Sequence, residues 1–219
     1  DVLMLNEGAD AWQKVASLPF ALSETVGAVL NGKVHLAGGR SPSSEKNGQW
    51  QHSLDVSAHL IFDPKSFTFK EAAPLPSARN SAASAQVNGR WFVLGGRTVG
   101  GEPITDVLEY LPETNTWQAH AALPNARAGH AAAVINNAIT VFGGEHSKGV
   151  DREVFSYDLS KQQWRKTFEW QMPRHGLGAV TLNGQIWLVG GATKVGLSET
   201  SREVTSLSKL IDKTLFIMK

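Results

Sequence analysis

At 219 residues, 42% hydrophobic and 19% charged, the chain is large enough to bury a substantial core, and its 21 basic against 20 acidic residues leave a formal net charge of +1. That balance excludes a global field recruiting nucleic acid or an anionic membrane surface, so partners must be recognised locally. With no cysteine there is no disulfide framework, thiolate zinc site or thiol nucleophile. No apolar run approaches the roughly 18 residues of a membrane span, and no signal segment stands at Asp1; the compartment stays open, a periplasmic or secreted setting being the leading expectation.

In chain order, the opening DVLMLNEGADAW matches the pattern of DVLEYLPETNTW from Asp106, which reads as strand, turn, strand. From there one unit recurs. Paired glycines fall at Gly38-Gly39, Gly95-Gly96, Gly143-Gly144 and Gly190-Gly191, in steps of 57, 48 and 47 residues, a period that signals a propeller or array. The turn residues Asn31, Asn88, Asn136 and Asn183 each stand seven positions before the first glycine. An aromatic at Trp12, Phe69, Trp117 or Trp164 precedes each unit, and a proline at Pro19, Pro76, Pro124 or Pro173 follows it.

The copy from Ala78 to Arg97, ARNSAASAQVNGRWFVLGGR, is the clearest. A small-residue strand leads into Asn88-Gly89, the dipeptide of a type I′ hairpin, and the apolar run Trp91 to Leu94 forms the return strand. A second hairpin follows each glycine pair: HLIFDPKSFTF from His59, VLEYLPETNTW from Val107, VFSYDLSKQQW from Val154. Each repeat is therefore four short strands, helix-period segments are absent, and the class is all-β. Ala-rich first strands suit the crowded centre of a ring, whereas Trp117 and Trp164 are expected to pack between sheets. The repeats divide the chain at 18–69, 70–117, 118–164 and 165–219, with 1–17 as the outer hairpin of a preceding blade. The tail KLIDKTLFIMK from Lys209 lacks the closing Trp, with Leu215 and Phe216 as substitutes in a degenerate outer strand.

Together the Leu-Pro step, the arginine, the small-residue strand, the glycine pair, the YDP-like hairpin and the closing Trp resemble the kelch repeat over nearly the whole chain. The resemblance implies a β-propeller of four-stranded antiparallel blades about a central channel. ARNSAA from Ala78, GGRTVGG from Gly95 and PRHGLGAV from Pro173 are similar to bacterial kelch proteins with six blades. About four and a half blades are present, and the expectation is an arc of a six-bladed ring rather than a closed four-bladed one whose last sheet the N-terminal hairpin completes. Open sheet edges would then invite self-association.

Arg79, Arg127 and Arg174 each precede the turn asparagine by nine residues, with Leu22 in the first copy. Such regular recurrence predicts a structural role, the guanidinium satisfying backbone carbonyls or interblade carboxylates. The resemblance further implies that the loop entering the innermost strand and the residue after Gly-Gly line a ligand-binding mouth. Carried over by position, that rule picks Ser23 and Glu24, Asn80 and Ser81, Ala128 to His130, and His175 with Gly176; after the glycines it picks Arg40, Arg97, Glu145 and Ala192. The expected ligand-binding set is Arg40, Asn80, Ser81, Arg97, His130, Glu145 and His175. Arg40 and Arg97 can grip an anion, and the others supply donors and acceptors. The insertion from Arg40 to Asp55 is expected to carry a lid with Trp50, His52 and Asp55.

The reading favoured here is a non-catalytic binding module recognising an acidic peptide, a protein or a glycan. No catalytic residue is assigned, no cofactor is expected, and His130, His146 and His175 lack metal-ligand spacing. The resemblance leaves an alternative, a sugar-active enzyme of the N-acetylneuraminate epimerase type. There Glu145 or His175 would be the base and Arg40, Arg97 or Arg174 the carboxylate anchor.

Overall fold

The structure, a computed structural model, describes residues 1–44, 49–196, 198–211 and 214–218, with side chains through 207. A hairpin of β1 (Val2–Met4) and β2 (Gln13–Ala16) comes first and pairs only with itself among the described strands. Blade I contains β3 (Val26–Leu30) and β4 (Lys33–Ala37), a ribbon of β5 (Arg40–Pro42) with β6 (Ser53–Asp55), then β7 (His59–Asp63) and β8 (Thr68–Ala72). One turn of 3₁₀ helix, Trp50–His52, sits inside the ribbon. Blade II is β9 (Ala83–Val87), β10 (Arg90–Leu94), β11 (Val107–Leu111) and β12 (Thr116–Ala119). Blade III is β13 (Ala131–Ile135), β14 (Ala138–Phe142), the ribbon β15 (Glu145–His146) with β16 (Gly149–Val150), β17 (Glu153–Asp158) and β18 (Gln163–Glu169). Blade IV is β19 (Gly178–Leu182), β20 (Gln185–Val189), β21 (Val204–Ile211) and β22 (Thr214–Met218).

Each blade is an antiparallel sheet in simple up-and-down order, and the innermost strands β3, β9, β13 and β19 are successive neighbours. The tail thus supplies the fourth strand of blade IV, and the N-terminal hairpin does not enter that sheet. Leu215 and Phe216 lie in β22, with their side chains outside the described residues. The hairpin instead lies beside blade I, where Leu3 and Val15 face Leu36, Phe62 and Phe69 across an apolar cavity of about 430 Å³.

The turns follow the expected chemistry. Asn88 and Gly89 both have positive φ (52° and 73°), and in blade III the pair is Asn136-Asn137, two of the few non-glycine residues that tolerate that region. Period-2 alternation sends side chains of one strand into two different cores. Trp91 and Val93 of β10 pack with Val26, Leu30 and Tyr110 between blades I and II. Phe92 and Leu94 pack with Ile139, Val141 and Tyr157 between blades II and III. A third core, around Phe142, Trp170, Ile186 and Leu188, joins blades III and IV. Trp117 and Trp164 border these cores, and their indole N–H groups donate to Ala73 and Ala121 carbonyls of the preceding blade, at 2.8 and 2.9 Å. On the far side of blade IV the alternation leaves Val180, Leu182, Val189 and Val204 about half exposed.

Candidate functional site

The glycine pair and the recurring arginine form one device that joins blades at the channel. Gly39, Gly96 and Gly144 donate their N–H to the carbonyls of Arg79, Arg127 and Arg174, one blade onward, at 2.7–3.0 Å. The preceding glycine has to be bare: a Cβ on Gly143, at φ +60°, would stand 1.8 Å from the Arg174 carbonyl oxygen. The three arginines are buried. Arg127 donates to the carbonyls of Gly143 (3.0 Å) and Glu153 (3.2 Å), Arg174 to those of Gly190 (2.8 Å) and Glu203 (2.7 Å), and Arg79 to Asp106 (2.9 Å). They therefore satisfy carbonyls and a carboxylate inside the fold, and Arg174 is not free to anchor a substrate.

Immediately after this device, the residue entering each innermost strand pairs with the residue following Gly-Gly. The pairs are Ser23 with Arg40, Asn80 with Arg97, Ala128 with Glu145, and His175 with Ala192. This ladder places the two sequence positions of every blade side by side at one end of the channel. Arg40, Ser81, Arg97, His130, Glu145 and His175 line a single cavity of about 690 Å³ together with Glu24, Trp50 and Gly196. Asn80 is the exception: it is fully buried beneath the rim, donating to Asp55 and accepting from Ser81 Oγ at 2.8 Å.

The cavity's charges are arranged in pairs, one within blade I and one across blades II and III. Arg40 meets Glu24 at 2.8 Å, and the Ser81 hydroxyl of blade II, its one proton shared between Glu24 and Asn80 Oδ1, also reaches Glu24. Arg97 Nη1 of blade II donates to Glu145 Oε1 of blade III at 2.9 Å. The other Glu145 oxygen accepts from the Gly196 N–H of blade IV (3.1 Å) and lies 3.6 Å from His175 Nδ1. Each rim arginine thus has a carboxylate of its own, and an incoming anion must displace Glu24 or Glu145. Glu24 and Glu145 were both expected at the mouth from the sequence, but which arginine each would meet was not, because the pairing depends on loop paths and the angle between blades.

The expected lid divides into distinct roles. Trp50 covers Arg97, the guanidinium carbon 5.2 Å from the ring centroid. Asp55 is a stitch rather than a cover, accepting from Asn80 and, at 2.7 Å, from the Val99 N–H of blade II. His52 closes the 3₁₀ turn without lining the cavity. Residues 45–48 of the insertion lie outside the described residues. His130 is buried, and desolvation reinforced by the Arg127 guanidinium holds its ring well below the usual histidine range, so it is neutral. Among the described residues no group of three or more His, Asp or Glu side chains is placed to hold a metal.

With this geometry in view, comparison with known proteins is direct. A family model described as "KLHDC2/KLHL20/DRC7 Kelch-repeats domain" matches residues 24–208. The chain belongs to the kelch-repeat family. Similar proteins include Kelch-like protein 35 of Homo sapiens, 40% identical over 90% of this chain and 31% of the relative, and Kelch-like protein 35 of Mus musculus, 28% identical over 87% and 38%. Beta-scruin of Limulus polyphemus is 30% identical over 76% of this chain and 19% of its own. The chain thus spans between 19% and 38% of the length of these eukaryotic relatives, whereas the sequence resemblance pointed to bacterial proteins. Among solved structures, "Structure of YjhT" superposes with a TM-score of 0.80 at 16% identity, covering 95% of this chain and 72% of the other, which shows the shared propeller fold.

Proposed function

We propose that this kelch propeller is a protein-interaction module that takes a segment of a partner protein at the mouth of its channel. The observation that carries the reading is the rim ladder: one backbone pairing, repeated in four blades, presents a different side chain to the cavity each time, Arg40, Arg97, Glu145 and His175. A rigid frame with varied loop-borne chemistry is what recognition requires and what a purely structural repeat does not. The cavity's size and its aromatic cover over a paired arginine fit a peptide side chain with its flanking main chain. Similarity to Kelch-like protein 35 supports a protein partner over a small metabolite.

Selection from a random peptide-display library on the intact chain tests this. Captured peptides should lose at least tenfold in affinity on Trp50→Ala and on Glu145→Ala, by fluorescence anisotropy. Peptides indifferent to both substitutions bind elsewhere and refute the mouth as the site. A second reading, turnover of an N-acetylneuraminate-type sugar, draws on a carboxylate and an imidazole, Glu145 and His175, lying 3.6 Å apart in one cavity with Arg97. Proton NMR of the sugar's anomers decides it: accelerated exchange lost in Glu145→Gln supports turnover, and unaccelerated exchange removes it.

A further inference from the structure

Four buried nitrogens on three side chains of the mouth have no hydrogen-bond partner among the described residues: Trp50 Nε1, Arg97 Nε and both ring nitrogens of His130. The other unpartnered buried atoms among the described residues, His52 Nδ1, Arg127 Nε and Nη2, and Asp151 Oδ2, belong to residues that do not line this cavity, so the mouth holds four of the eight. Buried polar atoms left without partners are costly, and a ligand that supplies the partners recovers that cost on binding.

The inventory specifies the ligand's chemistry. Trp50 Nε1 and Arg97 Nε only donate, whereas the neutral His130 ring offers one donor and one acceptor. A carboxylate has acceptors alone, so it leaves the His130 lone pair unmatched. It would also meet Glu24 and Glu145, which line the same cavity and already answer Arg40 and Arg97. A carboxamide has an oxygen with two lone pairs and an N–H beside it; it leaves the His130 N–H unmatched where a carboxylate leaves the lone pair, and its lack of charge beside Glu24 and Glu145 is what favours it.

We propose that the mouth, read as above as a site for a partner protein's segment, receives an uncharged carboxamide, an asparagine or glutamine side chain. Its oxygen accepts from Trp50 Nε1 and Arg97 Nε, and its N–H donates to His130. Specificity then runs against aspartate and glutamate, opposite to what two rim arginines suggest when read without their partners.

Two probes that differ only in this group test the assignment: N-acetylglutamine methylamide and N-acetylglutamate methylamide. The indole N–H resonance of Trp50 is assigned in ¹⁵N-labelled protein by its loss in Trp50→Phe. The carboxamide should shift that resonance saturably, with at least fivefold weaker response to the carboxylate. The shift should vanish in His130→Phe and in Arg97→Lys, which keeps a cation for Glu145 but has no Nε–H. An equal or stronger response to the carboxylate, or no Trp50 shift with either probe, overturns the proposal. A carboxamide shift with no peptide captured from the library supports the carboxamide site and counts against the partner reading alone. Rim-dependent peptides indifferent to exchange of Gln for Glu overturn the carboxamide alone.

Discussion

Acidification should loosen the seam between blades I and II through two histidines. His35 and His59 are buried against Trp91 and Tyr110, and the His35 and His59 rings meet at 2.9 Å between Nδ1 and Nε2. His59 Nδ1 donates to the Ala73 carbonyl at 3.2 Å, which leaves its Nε2 to accept from His35. A proton added at that nitrogen would set two N–H groups against each other. Burial, with the His35 charge as a lesser cause, lowers His59 to about 4, and burial with Lys70 and Lys33 lowers His35. The sign follows: between pH 6.5 and about 4 the unfolded chain binds the proton and the folded chain does not, so stability falls as pH falls through that window.

With a folded value of about 4 and an unfolded value of 6.5, the His59 contribution to the loss between pH 7 and pH 4.5 is about 2 kcal/mol. Urea unfolding followed by tryptophan fluorescence at half-unit pH steps measures it, with His59→Gln as the reference that cannot titrate. The wild-type free energy should fall by about 2 kcal/mol more than that of the variant over this range. Parallel curves would refute the reasoning, since carboxylates titrate alike in both proteins.

Two further outcomes are expected. Gly143→Ala puts a methyl group into the Arg174 carbonyl and should cost more than about 3 kcal/mol or prevent folding, whereas Gly184→Ala, at similar φ but with nothing nearby, should cost only about 1–2 kcal/mol. Chemical denaturation of the pair compares them, and equal losses would mean that the close approach is not what requires glycine at 143. The half-exposed face of blade IV should drive concentration-dependent association, so that Leu182→Lys lowers the light-scattering mass at high concentration. An unchanged mass would place the contact elsewhere.

The scaffold was legible because each repeat states it again. Asn88-Gly89, Gly95-Gly96, Arg79 and Trp117 answer to local turn geometry or to a neighbour at fixed offset, and repetition separates such signals from chance. The rim positions were legible for the same reason, as departures from a register the other copies define. What the rim residues touch was not legible. Gly196 reaches the cavity on a loop whose path the repeat does not define, and a pairing such as Arg97 with Glu145 is fixed by the angle between blades rather than by spacing along the chain. The His35 and His59 pair was likewise hidden, since each reads singly as an ordinary strand residue. Nor did the sequence reveal that Asn80, polar and loop-borne, is wholly enclosed.

The ladder at the mouth has a consequence for how such proteins diversify. Its bonds run between main-chain N–H and C=O groups, from Ser23 and Arg40 through to His175 and Ala192, so the pairing is indifferent to which side chains the paired residues carry. At the ladder positions that face the cavity, folding therefore tests chiefly the backbone and selection for partners the side chains, whereas the enclosed Asn80 answers to folding as well. A lineage can rewrite what the mouth recognises by single substitutions while the propeller beneath is inherited intact. The same separation lets a designer exchange the four ladder residues that face the cavity, Arg40, Arg97, Glu145 and His175, as a set.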